Sequence, residues 1–139
     1  TEEIRENNNR KGFRWKRLDG AGGILAHVDI KGRFKVGKYG VDVAGFEKSV
    51  VPVLVPGQND AELFVIDEIG KMECLSDKFV AAVRKLFASD KLVLASAARK
   101  GAGLISEVKN HQGVQLFKLT LENRDKKIGE ILQILSSLK

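Results

Sequence analysis

The sequence predicts an α/β fold, in which a parallel sheet flanked by helices carries a small antiparallel β-hairpin lobe. Two apolar runs, Leu63–Ile66 and Leu92–Ala95, contain no alternating polar residues. Such short runs are typical of strands buried on both faces of a parallel sheet. Segments with helical periodicity lie between and after these runs. Strand and helix therefore alternate over residues 62–138, as in βαβ units.

Residues 1–40 have the pattern of short strands joined by tight turns. The turns at Asn7–Asn9 and Asp19–Gly23 contain asparagine and glycine, which tolerate positive φ. The strand candidates are Thr1–Glu6, Gly12–Leu18, Ile24–Ile30 and Arg33–Val36. We predict a single domain over residues 1–139, with a hairpin lobe at 1–40 and an α/β core at 41–139.

The first half of the predicted core begins with a helix over residues 43–54, for which Asp42 is the N-cap candidate. Pro52 would distort the end of this helix. A second helix over residues 77–88 follows the N-cap candidate Ser76. It has an apolar stripe suited to packing on the sheet.

The second half of the predicted core contains a short helix over residues 104–110 and a third core strand at Val114–Thr120. Either Asn123 or Thr120 caps a last helix that runs to Leu138. The residues of this helix predicted to face inward are Ile128, Ile131, Leu132 and Leu135.

Two adjacent carboxylates, Asp67 and Glu68, follow the apolar run Leu63–Ile66. Open α/β sheets bind ligands at the C-terminal edge of their strands. In an acidic pair at that edge, the first acid can hold Mg²⁺ and the second can polarise the nucleophilic water. This is the arrangement of the Walker B sequence in P-loop nucleotide hydrolases. The alternative is that both acids merely end a strand.

The composition favours an anionic ligand and a reducing compartment. Lysine and arginine number 24 against 18 acidic residues, which gives a net charge of +6. The single cysteine, Cys74, forms no internal disulfide and suits a buried apolar position, so we predict a cytoplasmic protein. No apolar run approaches the roughly 20 residues of a membrane helix, so no membrane partner is expected.

Two stretches suggest nucleotide or nucleic-acid contacts but have simpler interpretations. Gly32–Tyr39 fits the spacing of a phosphate loop, yet Tyr39 stands where a small hydroxyl should reach Mg²⁺. We therefore do not assign it as a phosphate cradle. The aromatic and basic residues of Phe13–Arg17 suit nucleic-acid binding. A strand packed on one face gives the same alternation, and we favour that interpretation.

Four stretches, in their order and spacing, resemble the small P-loop nucleoside-triphosphatases, the thermophilic and cancer-related nucleoside-triphosphatase family. The resemblance covers essentially the whole chain and implies a P-loop NTPase-type fold with Mg²⁺-dependent hydrolysis of ATP, GTP and other nucleoside triphosphates. The matching stretches are Thr1–Arg5 followed by Gly12–Phe13, Val36–Val43, Asp67–Glu73 and Glu122–Asp125.

The resemblance also implies roles for the residues after the predicted strand. Asp67 would hold Mg²⁺ through a water, and Glu68 would orient or deprotonate the attacking water. Ile69, Gly70 and Lys71 would complete this part of the nucleotide site. Lys71 either approaches phosphate or is a solvated lysine.

Further site candidates come from the two ends of the chain. Glu2, Glu3 and Arg5 would lie near phosphate, where Arg5 either neutralises charge or forms a surface salt bridge. Asn123 and Arg124 would contact the base or ribose. Alternatively, Asn123 caps the last helix and Arg124 pairs with Asp125.

The chain departs from the family at its beginning. Family members have a strand, a glycine-rich phosphate loop and a helix upstream of the stretch that matches Thr1. We expect the loss of these elements to expose strand edges and apolar surface, which offers a route to self-association. Either the chain is a fragment that is inactive alone, or another segment fills the gap. Nucleotide binding by this chain, measured beside a version extended upstream, separates these cases.

Two other functions remain open at this stage. A nucleotide kinase would use the same scaffold and yield a phosphorylated acceptor instead of free phosphate. A basic nucleic-acid-binding module would bind RNA or DNA in a salt-dependent way without nucleotide.

Overall fold

Two sheets form the framework of the fold. The computed structural model describes residues 1–138. The first sheet is antiparallel, has five strands and has the order β1-β2-β3-β5-β4. Its strands are β1 (Glu2–Glu6), β2 (Asn9–Lys16), β3 (Gly22–His27), β4 (Lys35–Val36) and β5 (Tyr39–Val41).

Tight turns connect the strands of this sheet, and the turn at Asn7–Asn9 is one that the sequence predicts. Asn7 and Asn8 turn the chain between β1 and β2 with φ of 46° and 62°. Gly37, with φ of 58°, turns it between β4 and β5. The stretch Gly32–Tyr39 therefore ends in a β-hairpin, because Lys35 pairs with Gly40 and Val36 with Tyr39.

The aromatic residues of β2 point into the protein. Trp15 is buried, and Phe13 packs edge-on against Tyr39 with ring centroids 5.4 Å apart. Arg14 and Lys16 are exposed on the other face. One packed face and one solvated face therefore account for the alternation in Phe13–Arg17.

Helix α1 (Val43–Ser49) follows the antiparallel sheet and begins as predicted. The Asp42 side chain accepts a hydrogen bond from the backbone nitrogen of Gly45 at 3.0 Å. The helix is shorter than predicted, because a 3₁₀ turn over Val51–Leu54 replaces its last part. Pro52 lacks a backbone N–H and so cannot continue α-helical hydrogen bonding.

The second sheet is a parallel pair, β6 (Leu63–Ile69) and β7 (Leu92–Ala97). Helix α2 (Asp77–Phe87) connects these strands. It starts where the sequence predicts, because the Ser76 hydroxyl accepts a hydrogen bond from the backbone nitrogen of Phe79 at 3.0 Å. Ser76 also donates to Glu47 Oε1 at 2.8 Å, which links α2 to α1.

The prediction that Leu63–Ile66 is buried on both faces is wrong. Phe64 and Ile66 are buried, but Leu63 and Val65 are 39% and 44% exposed. Within residues 1–138, β7 is the only strand that pairs with β6. The face carrying Leu63 and Val65 is open, so the apolar run alone does not determine burial.

The prediction of a third core strand at Val114–Thr120 is also wrong. These residues form no strand, and Val114, Leu116 and Leu119 are exposed. A strand requires hydrogen-bonding partners as well as suitable side chains. The sequence pattern records the side chains but not whether a neighbouring strand is present.

Two helices complete the described chain. Helix α3 (Leu104–Lys109) agrees with its prediction and buries Leu104, Ile105 and Val108. Helix α4 (Arg124–Ser137) also forms, but it contains no buried residue. The predicted inward face of α4 is therefore wrong, since Ile128 and Leu132 are 52% and 58% exposed.

One hydrophobic core joins the two sheets. Leu25 and Val41 of the antiparallel sheet belong to the same buried cluster as Phe64 and Ile66 of β6. Phe46 and Phe79 join α1 to α2 within it, with ring centroids 5.4 Å apart. The carboxyl end of β6 is thereby held against the antiparallel sheet.

Among residues 1–138, no helix is both long and apolar enough to cross a bilayer.

Replacing Ser76 by alanine should lower the free energy of unfolding by about 1–2 kcal/mol, because it removes a helix N-cap. The hydroxyl is fully buried, so water cannot replace it readily. Urea denaturation of this variant beside Ser136→Ala, an exposed serine of α4, provides the measurement and its control. Equal stabilities of the two variants would contradict the capping role.

Candidate functional site

A bulge places Asp67 and Glu68 at the carboxyl end of β6. Ile66 pairs with Ala95 and Ile69 pairs with Ala97, so Asp67 and Glu68 together stand opposite Ser96 alone. An extra residue in one strand bends that strand and redirects its side chains. Both acids are exposed as a result, while Ile66 and Ile69 on either side are buried.

Asp67 is held by the neighbouring strand. Its Oδ1 accepts a hydrogen bond from the Ser96 hydroxyl at 2.5 Å. Its backbone oxygen accepts one from the terminal ammonium group of Thr1, also at 2.5 Å. The Asp67 carboxylate therefore has a defined position, with Oδ2 left for another partner.

A crevice of about 240 Å³ lies between the end of β6 and the antiparallel sheet. Glu68, Lys71 and Glu73 give it a charged side. The apolar residues on its wall are Phe13, Leu25, Val36, Met72 and Ala98. Glu68 therefore faces a partly enclosed space in which charges interact more strongly than in open water.

Gly70 makes room for two carboxylates. A Cβ at this position would lie 2.8 Å from Glu73 Oε2 and 3.1 Å from Glu68 Oε1. Both oxygens lie at the ends of side chains, so a residue larger than glycine would displace them. The carboxylates of Glu68 and Glu73 therefore converge at the α-carbon of Gly70.

Glu73 is a buried acid. Its side chain lines the crevice, although the residue is only 5% exposed. Burial raises the pKa of the Glu73 carboxyl, and the Glu68 charge raises it further, against the opposing effect of the backbone N–H groups of Glu73 and Gly70. Glu73 therefore retains a proton to a higher pH than an exposed glutamate.

The other predicted residues of this stretch lie in different surroundings. Lys71 is exposed and lines the crevice beside Glu68. The Ile69 side chain is fully buried in the core. The backbone oxygen of Ile69 accepts a hydrogen bond from Ala98 at 3.1 Å, so Ile69 supports the strand pairing.

The candidates at the beginning of the chain lie on the edge strand β1. Arg5 pairs with Glu3 at 2.6 Å, and Arg10 pairs with the same carboxylate at 2.7 Å. Glu2 pairs with Lys16 at 2.8 Å. These groups are exposed and form ion pairs with one another. Arg5 therefore forms a surface salt bridge, which is one of the two roles that the sequence allows for it.

The candidates near the end of the chain have local contacts. Asn123 Oδ1 accepts a hydrogen bond from the backbone nitrogen of Thr120 at 2.9 Å. Asn123 is the N-cap residue of α4 but makes no side-chain capping hydrogen bond. Arg124 lies 3.6 Å from Asp125 in an exposed ion pair. The structure thus brings Asp67, Glu68 and Lys71 together, and it gives Asn123 and Arg124 a separate, local environment.

Ser96 and Glu73 belong to this site without a role predicted from the sequence. Ser96 is the polar residue that ends the apolar run of β7, so its position at a strand end was an available signal. Glu73 closes the stretch Asp67–Glu73 that carries the family resemblance. Cys74, by contrast, suits a structural role, because burial raises the pKa of its thiol to about 11.

The donor groups at the end of β6 fit a magnesium ion with few protein ligands. No cluster of three or more histidine, cysteine, aspartate or glutamate side chains suited to a metal occurs among the described residues. Mg²⁺ commonly uses one or two carboxylates and completes its shell with water and substrate phosphates. The exposed Asp67 carboxylate, fixed through Oδ1 by Ser96, is suited to that task.

Comparison with known proteins gives a consistent family match. The model of the NTPase family matches residues 1–132. Nucleoside-triphosphatase THEP1 of Thermotoga petrophila is 42% identical over 135 residues, which cover 97% of this chain and 75% of that protein. The cancer-related nucleoside-triphosphatase of Homo sapiens is 34% identical over 153 residues, with 99% and 79% covered.

Solved structures agree with this match. THEP1 from Aquifex aeolicus superimposes with a TM-score of 0.84 at 33% identity, over 90% of this chain and 77% of that chain. The human cancer-related nucleoside triphosphatase gives a TM-score of 0.80 at 32% identity, over 99% and 80%. The predicted α/β fold of the P-loop NTPase type is confirmed.

Replacing Glu73 by glutamine should stabilise the protein at neutral pH. Because burial raises the pKa of Glu73, the folded protein binds this proton more tightly than the unfolded chain. The stability of the unmodified protein should therefore fall as pH rises from the ordinary glutamate value of 4.5 through the raised pKa. Glutamine removes this loss.

The free energy of unfolding, measured in urea from pH 4 to pH 8 at about one-unit steps, checks this expectation. Glu68 and Lys71 face the same crevice and are unchanged in both proteins. Glu62→Gln, at an exposed glutamate immediately before β6, is the control. A stability difference between Glu73→Gln and the unmodified protein that is independent of pH would contradict the assignment.

Proposed function

We propose that this chain, which belongs to the NTPase family, hydrolyses nucleoside triphosphates such as ATP and GTP to the diphosphate and phosphate. The observation that carries the proposal for the site is the bulge opposite Ser96, which presents Asp67 and Glu68 at the carboxyl end of β6. Parallel sheets bind their ligands at this edge. Both acids are exposed there, and Glu68 lines the adjacent crevice.

Glu68 is the proposed catalytic residue. Its carboxylate accepts a proton from the water that attacks the γ-phosphorus, while the bond from the γ-phosphorus to the bridging oxygen breaks on the opposite side. The leaving diphosphate takes up the negative charge. Phe13, Leu25 and Val36 form an apolar wall in the same crevice.

Asp67 is the proposed residue that holds Mg²⁺. When bound, this ion neutralises the charge of the phosphate oxygens. Ser96 donates its hydroxyl hydrogen to Asp67 Oδ1, so the aspartate is oriented before any ligand arrives. Ser96 thereby acts as a positioning residue for Asp67.

Lys71 is the proposed cation of the crevice. It is exposed beside Glu68, where an ammonium group can attract phosphate oxygens. We retain contacts of Asn123 and Arg124 with the base or ribose, and of Glu2, Glu3 and Arg5 with phosphate, as predictions. Arg5 forms an ion pair with Glu3, so Arg5 would have to leave this pair to contact phosphate.

Replacing Glu68 by glutamine in the full-length protein should lower kcat by about 10²–10⁴-fold, because an amide cannot accept the proton from water. Nucleotide affinity should change little, since the amide has nearly the same shape. Phosphate release and binding of a non-hydrolysable ATP analogue give the two readouts. Free phosphate as the product also separates hydrolysis from transfer to an acceptor.

The matched control for Glu68 is Glu62→Gln, the same substitution at the exposed residue immediately before β6. It should retain the unmodified turnover. Near-normal turnover of Glu68→Gln would remove this glutamate from the mechanism.

Replacing Asp67 by asparagine should raise the Mg²⁺ concentration needed for half-maximal activity by about tenfold or more, because a charged oxygen ligand is lost. Ser96→Ala should raise it less, since that change only releases the carboxylate from its hydrogen bond. Titration of activity with Mg²⁺ at saturating nucleotide provides the measurement, with Asp60→Asn in an exposed loop as the control. An unchanged Mg²⁺ requirement in Asp67→Asn would exclude Asp67 as the ligand.

A further inference from the structure

We infer that Glu73 is a positioning residue that holds the Glu68 carboxylate in its orientation at the crevice. The inference rests on the proposed function of Glu68, but it concerns a different side chain and has its own test.

The geometry that carries this inference is the convergence of both carboxylates at Gly70. Glu73 Oε2 and Glu68 Oε1 lie 2.8 Å and 3.1 Å from the position that a Cβ of Gly70 would take. Gly70 therefore brings the second acid into the immediate surroundings of the first. A larger residue would drive the two side chains apart.

Glu73 is better fixed than Glu68. It begins a 3₁₀ turn over Glu73–Leu75, and the backbone nitrogen of Cys74 donates to the Gly70 oxygen at 3.0 Å. The backbone nitrogen of Ser76 donates to the Glu73 oxygen at 3.1 Å. Glu68, by contrast, lies in the bulge, outside the regular strand pairing. A fixed side chain next to a less constrained one can set its orientation.

The burial of Glu73 supports a role beyond packing. A buried carboxyl costs stability, and an apolar residue would fill the same space without that cost. Burial favours the protonated form, whose O–H is a hydrogen-bond donor. The protonated form carries no charge that would repel the Glu68 carboxylate, and its O–H is a donor that a neighbouring carboxylate can accept.

The test is a double-mutant cycle in the full-length protein. Glu73→Leu removes the polar group at similar volume, Glu73→Gln keeps a donor, and each is made with and without Glu68→Gln. The readouts are kcat, KM for ATP, affinity for a non-hydrolysable ATP analogue and the melting temperature. Glu73→Asp, which withdraws the carboxyl by one methylene, replaces the leucine variant should that protein not fold.

We expect Glu73→Leu to lower kcat by roughly 10- to 100-fold, as displaced catalytic groups do. KM and analogue affinity should stay within about twofold, because binding is not the step affected. Glu73→Gln should keep kcat within about threefold of the unmodified protein, since its amide can still donate. In the Glu68→Gln background, Glu73→Leu should cause no further loss.

The same fold-loss in both backgrounds would overturn the inference, because two independent effects add in free energy. An unaltered kcat in Glu73→Leu would overturn it as well. A normal kcat in Glu68→Gln alone would instead refute the proposed function of Glu68. The single and double variants therefore separate the two failures.

Discussion

The parallel pairing of β6 with β7 is the constraint on which the rest of the site depends. The pairing is regular from Leu63 to Ile66 and continues at Ile69, and a hydrogen bond from Ala98 to Ile69 extends it beyond the bulge. The backbone is therefore fixed before and after the two acids. Ser96 is brought opposite Asp67 by the same register, so one set of backbone hydrogen bonds determines both partners of that contact.

The shared core explains why the crevice has two chemically different sides. Leu25 and Val41 of the antiparallel sheet are buried with Phe64 and Ile66 of the parallel pair, so the two sheets meet at the end of β6. The antiparallel sheet presents apolar side chains to this junction, and the stretch after β6 presents Glu68 and Lys71. Charges beside an apolar wall are less screened by water, so the same packing that stabilises the fold strengthens the electrostatic interactions of the site.

Features with local causes were predictable from the sequence, and features that depend on distant partners were not. The caps Asp42 and Ser76 act on N–H groups three residues ahead, which the sequence alone specifies. The bulge requires the register of β6 against β7, about 30 residues apart, and no local pattern encodes it. Leu63 and Val65 are exposed and Val114–Thr120 forms no strand, contrary to prediction. Both outcomes depend on whether a neighbouring element is present, which the composition of these segments does not reveal. The acidic pair is predictable because its chemistry is local. The contact of Ser96 with Asp67, by contrast, depends on the pairing of β6 with β7.

Gly70 and Glu73 show a conflict between stability and the needs of a reactive site. Glycine costs backbone entropy in a folded segment, and a buried acid costs desolvation energy, so neither residue is favoured by folding alone. Their contacts explain them jointly, because the missing side chain of Gly70 admits the carboxylates of Glu68 and Glu73 to one place. Sequences that depart from local stability rules commonly do so at functional sites. Two such departures that meet at one catalytic candidate are better explained by the chemistry of Glu68 than by two separate accidents of packing.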